Sequence, residues 1–240
     1  MRDVASVEEV CGVLAFSRVP RELSDELLDD APELWLRGES PDVIAGDVAL
    51  CHPPLSSGEV RVWCAPALIA GALRVSVLAY DRPGLLAATT GALAHAGLSV
   101  IQAAAMTWPA RNWAIQRALV ADPKARSTRP VERDLLCAQL RAAVRYGPMG
   151  NIQFSPNGPV QVDTTPSPDG RQLVRVLAPD RPGLLFAISA WLERSNCNVF
   201  VARATPAGRQ ADDAFLVDGA PDADELCAYL VGAAPAVTRL

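Results

Sequence analysis

Asp81-Arg82-Pro83-Gly84-Leu85-Leu86 recurs as Asp180-Arg181-Pro182-Gly183-Leu184-Leu185, 99 residues further along the chain (81 to 180). At that offset residues 73–107 and 172–206 are identical at 15 of 35 positions. The identities include Val75/Val174, Val77/Val176, Leu93/Leu192, Val100/Val199 and Ala105/Ala204, so they extend to both sides of the hexapeptide. A repeat of this length is a small duplicated domain with its linker, too long for one unit of a solenoid.

Both copies predict the same elements. Leu73–Ala79 is rich in β-branched and aliphatic residues, a strand signal. Asp81 is suited to cap a following helix, with Pro83 in the first turn where a missing N–H costs nothing. In the second copy Leu184, Leu185, Ile188, Trp191 and Leu192 form a one-sided helical stripe. Gly97, with Asn196 at the same place in the second copy, suits the left-handed residue that ends a helix. A second strand is expected at Leu98–Met106 and Cys197–Thr205, and a third through Ala118–Val120 and Phe215–Val217. A second helix is expected at Val131–Tyr146 and Asp222–Val231, and a last strand at Val160–Asp163 and Ala236–Leu240. The order β-α-β-β-α-β is the split-βαβ plan, an α+β fold with an antiparallel sheet and two helices on one face. Upstream, Val7–Phe16 and Leu23–Leu36 read as helices, and Ser40-Pro41 opens another that His52-Pro53-Pro54 should end. The expected organisation is a mostly helical segment over 1–66, a first module with its linker strand over 70–164, and a second module over 170–240.

Composition narrows the function classes. Of 240 residues 50% are hydrophobic and 20% charged, enough for a packed core, and the net charge of −5 argues against nucleic-acid binding. No apolar stretch approaches the roughly 20 residues of a membrane helix, and the charged start Met1–Glu9 has no signal-peptide core, so a cytoplasmic chain is expected. Six cysteines without a CxxC pair are expected to be reduced. His52 and His95, the only histidines, have no second ligand at i+3 or i+4, which leaves no expected metal or cofactor. Cys51-His52 and Cys64 lack the third group and oxyanion loop of a Cys/His catalyst, so no catalytic residue is expected.

The strand before each Asp-Arg-Pro-Gly-Leu-Leu loop, the loop itself, the step Ala96-Gly97-Leu98-Ser99-Val100 and the stretch Asp212-Asp213-Ala214-Phe215-Leu216-Val217 together resemble the ACT family of small regulatory domains. The first copy departs from that pattern at Trp113-Ala114-Ile115-Gln116. Pro159–Asp163 and Leu34–Leu50 extend the likeness to the C-terminal tandem ACT pair of bacterial PII uridylyl- or adenylyltransferase/uridylyl-removing enzymes. Stand-alone tandem ACT proteins of the glycine cleavage repressor type are a second comparison. The Gly-Ser and paired-aspartate motif of the transferase half and the His-Asp clusters of the removing half are missing. The chain therefore reads as a sensor portion without the enzyme.

The resemblance implies that an amino acid, glutamine being the first candidate, sits where the strand–helix loop of one module meets the second strand of another. Physics supports such a place. The first N–H groups of a helix are free to take a carboxylate, and Gly84 and Gly183 let a ligand approach the backbone. The candidate binding residues are Asp81, Arg82, Gly84, Leu85 and Leu86 with Ser99 and Gln102 in the first copy. In the second they are Asp180, Arg181, Gly183, Leu184 and Leu185 with Asn196 and Asn198. Each has a plainer reading: Asp81 and Asp180 as helix caps, the arginines as solvated charges, the leucines as core, and the strand residues as turn chemistry. The expected partners are an amino-acid effector, a second copy through the modules, and a regulated enzyme of amino-acid or nitrogen metabolism. The alternative is a scaffold or oligomerisation remnant.

Overall fold

The computed structural model describes residues 5–29, 31–37, 39–121, 130–147 and 158–232. Four N-terminal helices come first: α1 (Val7–Leu14), α2 (Arg21–Asp29), α3 (Glu33–Leu36) and α4 (Pro41–Leu50). The helix expected over Leu23–Leu36 is thus two helices. Pro32, at the N-cap of α3, lacks an N–H and pushes the residue before it out of helical backbone.

The first repeat contains β1 (Arg61–Pro66), β2 (Ala72–Tyr80), α5 (Leu85–His95), β3 (Ser99–Trp108), β4 (Trp113–Ala121) and α6 (Pro130–Tyr146). The second contains β5 (Gln161–Pro166), β6 (Gln172–Pro179), α7 (Leu184–Arg194), β7 (Asn198–Ala207), β8 (Gln210–Asp218) and α8 (Ala223–Leu230). Gly97 and Asn196 both take positive φ where α5 and α7 end, as expected of the left-handed terminator. The strand expected at Ala236–Leu240 lies outside the described residues.

The eight strands among the described residues form one antiparallel sheet in the order β1-β2-β4-β3-β7-β8-β6-β5. The α+β class with antiparallel sheets and paired helices is as expected, but one strand sits elsewhere. The strand expected at Val160–Asp163 to close the first module is β5, and it pairs with β6, Val162 opposite Val176. Its anticipated slot beside β2 is filled by β1, with Val62 opposite Val77. Each module thus takes its edge strand from the residues that precede it. β1 also places a strand inside the segment expected to be helical; six residues ending in Pro66 are too few for a clear period-2 signal.

The two halves join through β3 and β7, with Ala103 opposite Ala204, Ala104 opposite Arg203 and Ala105 opposite Ala202. Ala103 and Ala105 are the repeat equivalents of Ala202 and Ala204, so the seam is a local two-fold. On the helical side the equivalent pair Thr90 and Ser189 meets across it, Oγ to Oγ at 3.0 Å. Each hydroxyl also lies within bonding distance of a carbonyl one turn back in its own helix, so whichever of the two donates across the seam, the other still has an acceptor and neither is buried unmet.

The helical N-terminal segment covers the other face. Trp35, Ile44 and Val48 pack with Leu78, Met106, Trp108, Ile115 and Val201 in one core cluster. A sheet buried on both faces explains why β2 is buried at nearly every position, whereas β6 alternates. Arg117 crosses this layer, 1% exposed at its side chain, and donates to Asp47 Oδ2 at 2.9 Å. Ser76 donates to the other Asp47 oxygen at 2.8 Å. Glu39 lies within 4.0 Å of Arg74, Arg117 and Arg203, so one carboxylate ties the N-terminal segment to β2, β4 and β7.

Candidate functional site

The two hexapeptide loops open onto the seam. In each, the residue before the helix is the glycine in left-handed backbone, Gly84 at φ 79° and Gly183 at φ 83°. A non-glycine residue there would carry backbone strain of about 1–2 kcal/mol. Asp81 and Asp180 are therefore not the caps of α5 and α7, because the helices begin four residues later. Their N–H groups bond the hairpin turns instead, Asp81 to the Asn112 carbonyl at 2.8 Å and Asp180 to the Arg209 carbonyl at 3.1 Å. This leaves the carboxylates beside the seam and the first N–H groups of each helix without a side-chain cap.

The guanidinium groups turn away from the seam. Arg82 donates to the Val144 carbonyl at 2.6 Å and Arg181 to the Leu230 carbonyl at 3.2 Å, at the ends of α6 and α8. Both satisfy last-turn carbonyls and oppose the negative end of a helix dipole. Burial pulls the Arg181 pKa below its ordinary value.

Two clefts result, each built from one loop and the neighbouring module. The first, about 370 Å³ and open to solvent, is lined by Asp81, Arg82, Gly84, Leu85, Leu86, Thr107 and Gln116, faced by Ser189, Glu193 and Asn198. The second, about 500 Å³, is lined by Asp180, Arg181, Gly183, Leu184, Leu185, Thr205 and Asp213, faced by Thr90, Ala94 and Val100. They are repeat equivalents: Thr90 stands for Ser189, Ala94 for Glu193 and Gln116 for Asp213.

Loop residues and Asn198 thus come together, but three expected contacts do not. Gln102 lies on the opposite face, where its amide donates to Glu39. A register shift in β3 between Val100 and Gln102 reverses the alternation and carries it there. Ser99 starts β3 opposite Ala121 and lines neither cleft. Asn196 terminates α7 with φ 56°. Asn198 reaches across the seam and donates to Asp81 Oδ2 at 3.2 Å.

Polar lining residues outside the sequence candidates include Thr90, Thr107, Gln116, Ser189, Glu193, Thr205 and Asp213. The differences between the copies mark two of these positions, Ala94 against Glu193 and Gln116 against Asp213. Gln116 Oε1 and Thr107 Oγ1 are buried with no hydrogen-bond partner among the described residues. In the second cleft burial, aided by the nearby Asp180 carboxylate, pushes the Asp213 carboxyl up to about 8. Among the described residues no group of three or more His, Cys, Asp or Glu could hold a metal, and no helix is long and apolar enough to cross a membrane.

No family model matches the chain. Residue-by-residue similarity is found instead to bifunctional uridylyltransferase/uridylyl-removing enzymes. The one from Ralstonia nicotianae is 33% identical over 161 residues, covering 61% of this chain and 19% of that protein. The one from Burkholderia vietnamiensis is 28% identical over 224 residues, covering 89% of this chain and 26% of that protein. The chain is similar to part of these enzymes. It spans about a fifth to a quarter of their length. Among solved structures there is a slight likeness to aspartate kinase from Synechocystis, with TM-score 0.39 and 15% identity over 67% of this chain and 26% of that one. A protein of unknown function from Galdieria sulphuraria gives TM-score 0.23 and 18% identity over 61% of this chain and 80% of that one.

Proposed function

We propose that the chain is a non-catalytic regulatory protein that binds a free amino acid, glutamine being the first candidate, at the seam between its two modules. One observation carries this reading. Each cleft places a glycine helix start and an aspartate of one module against the helix and strand of the other. A helix start suits a carboxylate, and the aspartates suit an ammonium group. The similarity to the uridylyltransferase/uridylyl-removing enzymes supports a role in control of nitrogen metabolism. The output would be a shift in how the modules sit, read by a partner enzyme.

An amino acid has about ten heavy atoms, and at roughly −0.5 kcal/mol each its affinity falls near 0.1–1 mM. A thermal-shift panel of the twenty amino acids is expected to single out one or a few of them. At about 10 mM a ligand of 0.1 mM affinity adds roughly 2.7 kcal/mol of stability. A panel in which every amino acid leaves the melting temperature unmoved rejects the sensor in favour of a scaffold.

A further inference from the structure

The two clefts are equivalent in position and unequal in content. On α7 the residue facing the Gly84 cleft is Glu193, and its carboxylate lies where a β-carbon on Gly84 would stand. On α5 the equivalent residue is Ala94, which faces the larger cleft. The Gly84 cleft also holds Gln116 and Thr107, each 6% exposed, with Oε1 and Oγ1 unmatched among the described residues. A polar cleft with unmet buried atoms and a carboxylate against a helix start has the parts of a ligand site.

We infer that the Gly84 cleft is a carboxylate site filled by the chain's own Glu193, so that the wild-type chain takes a single effector, in the Asp180 cleft. The tether explains the occupancy. Glu193 sits on the helix that forms the cleft wall, so its carboxylate is present at high effective concentration and loses little freedom on entering. A free ligand of about millimolar affinity competes poorly against it. Position 94 has no carboxylate to offer, so the second cleft stays open to small molecules. The stoichiometry rests on the proposed sensor function; the self-occupied cleft does not.

Removing the tether leaves a space matching acetate, the CH2–COO− group that Glu193→Ala deletes. With about 50 mM sodium acetate the melting temperature of Glu193→Ala is expected to rise by about 2–4 °C over sodium chloride of equal ionic strength. The wild type and Glu193→Gln, whose cleft stays full, are expected to show no such rise. Glu193→Ser provides a second emptied cleft should the alanine variant fail to fold. Equal responses in the wild type and the emptied variants, or no response in either emptied variant, overturn the inference.

Calorimetric titration with the amino acid found by the panel is expected to give one site in the wild type and two in Glu193→Ala. Ala94→Glu, which places the same carboxylate beside the open cleft, is expected to abolish binding. Two sites in the wild type also overturn the inference. An acetate response in Glu193→Ala without amino-acid binding by any variant keeps the self-occupied cleft and rejects the sensor function alone.

Discussion

Asp47→Ala is expected to lower the free energy of unfolding by about 3–5 kcal/mol, the usual cost of leaving a buried charge without its partner. Asp47 is 2% exposed, and its two oxygens take the Arg117 guanidinium and the Ser76 hydroxyl. Burial pulls the carboxyl pKa up, while Arg117 and Ser76 hold it down and favour the ionised form. Without Asp47 the guanidinium keeps the Trp35 carbonyl and the Trp35 ring face 4.9 Å away, but loses its nearest anion. The double variant Asp47→Ala/Arg117→Met is expected to be more stable than Asp47→Ala, because no buried charge remains unpaired. Urea midpoints of the two variants and the wild type test this. A double variant less stable than the single one would falsify the orphaned-charge explanation.

Asp213→Asn is expected to remove a pH dependence from stability and from effector binding. The folded carboxyl is pushed up to about 8 from an ordinary 3.8. Between those values the folded chain keeps a proton that the unfolded chain has released. Stability from this group is therefore fully present below about pH 4 and is lost as pH rises through 8, at about 1.4 kcal/mol per pH unit in between. Urea midpoints at about pH 5.5, 6.5 and 7.5 are expected to fall more steeply in the wild type than in Asp213→Asn. Parallel slopes in the two proteins reject the buried acid. An ammonium group bound beside Asp213 favours its ionised form, so binding should release a proton and tighten as pH rises. Calorimetry in buffers of different ionisation heat measures that proton directly.

Much of this architecture was legible because the duplication repeats its punctuation. Gly97 and Asn196 end equivalent helices, and Leu184, Leu185, Ile188, Trp191 and Leu192 show their buried face in their spacing. The owner of each edge strand was not legible. Val162 would pack equally well beside either module by pattern, and the choice was made by β1, which had taken the slot beside β2. Asp81 misled for a related reason. An aspartate before a proline suits a cap, yet Gly84 can turn the chain in left-handed backbone and start the helix later. Gln102 was misplaced because an irregularity in β3 reverses which residues face the helices, and no composition signal marks it. Glu193 and Asp213 read as ordinary surface charges until the seam brings α7 and β8 beside the loops.

Thr90 and Ser189 touch at the middle of the molecule, with one cleft on either side of them. The helices that carry them also form walls of both clefts, so the pair acts as a fulcrum and α5 and α7 as the arms of a balance. One arm carries Ala94 beside the open cleft, and the other carries Glu193 against Gly84. Beneath the balance Glu39 holds β2, β4 and β7 from the other face. The sheet under both arms is thereby tied to the N-terminal segment through a single carboxylate.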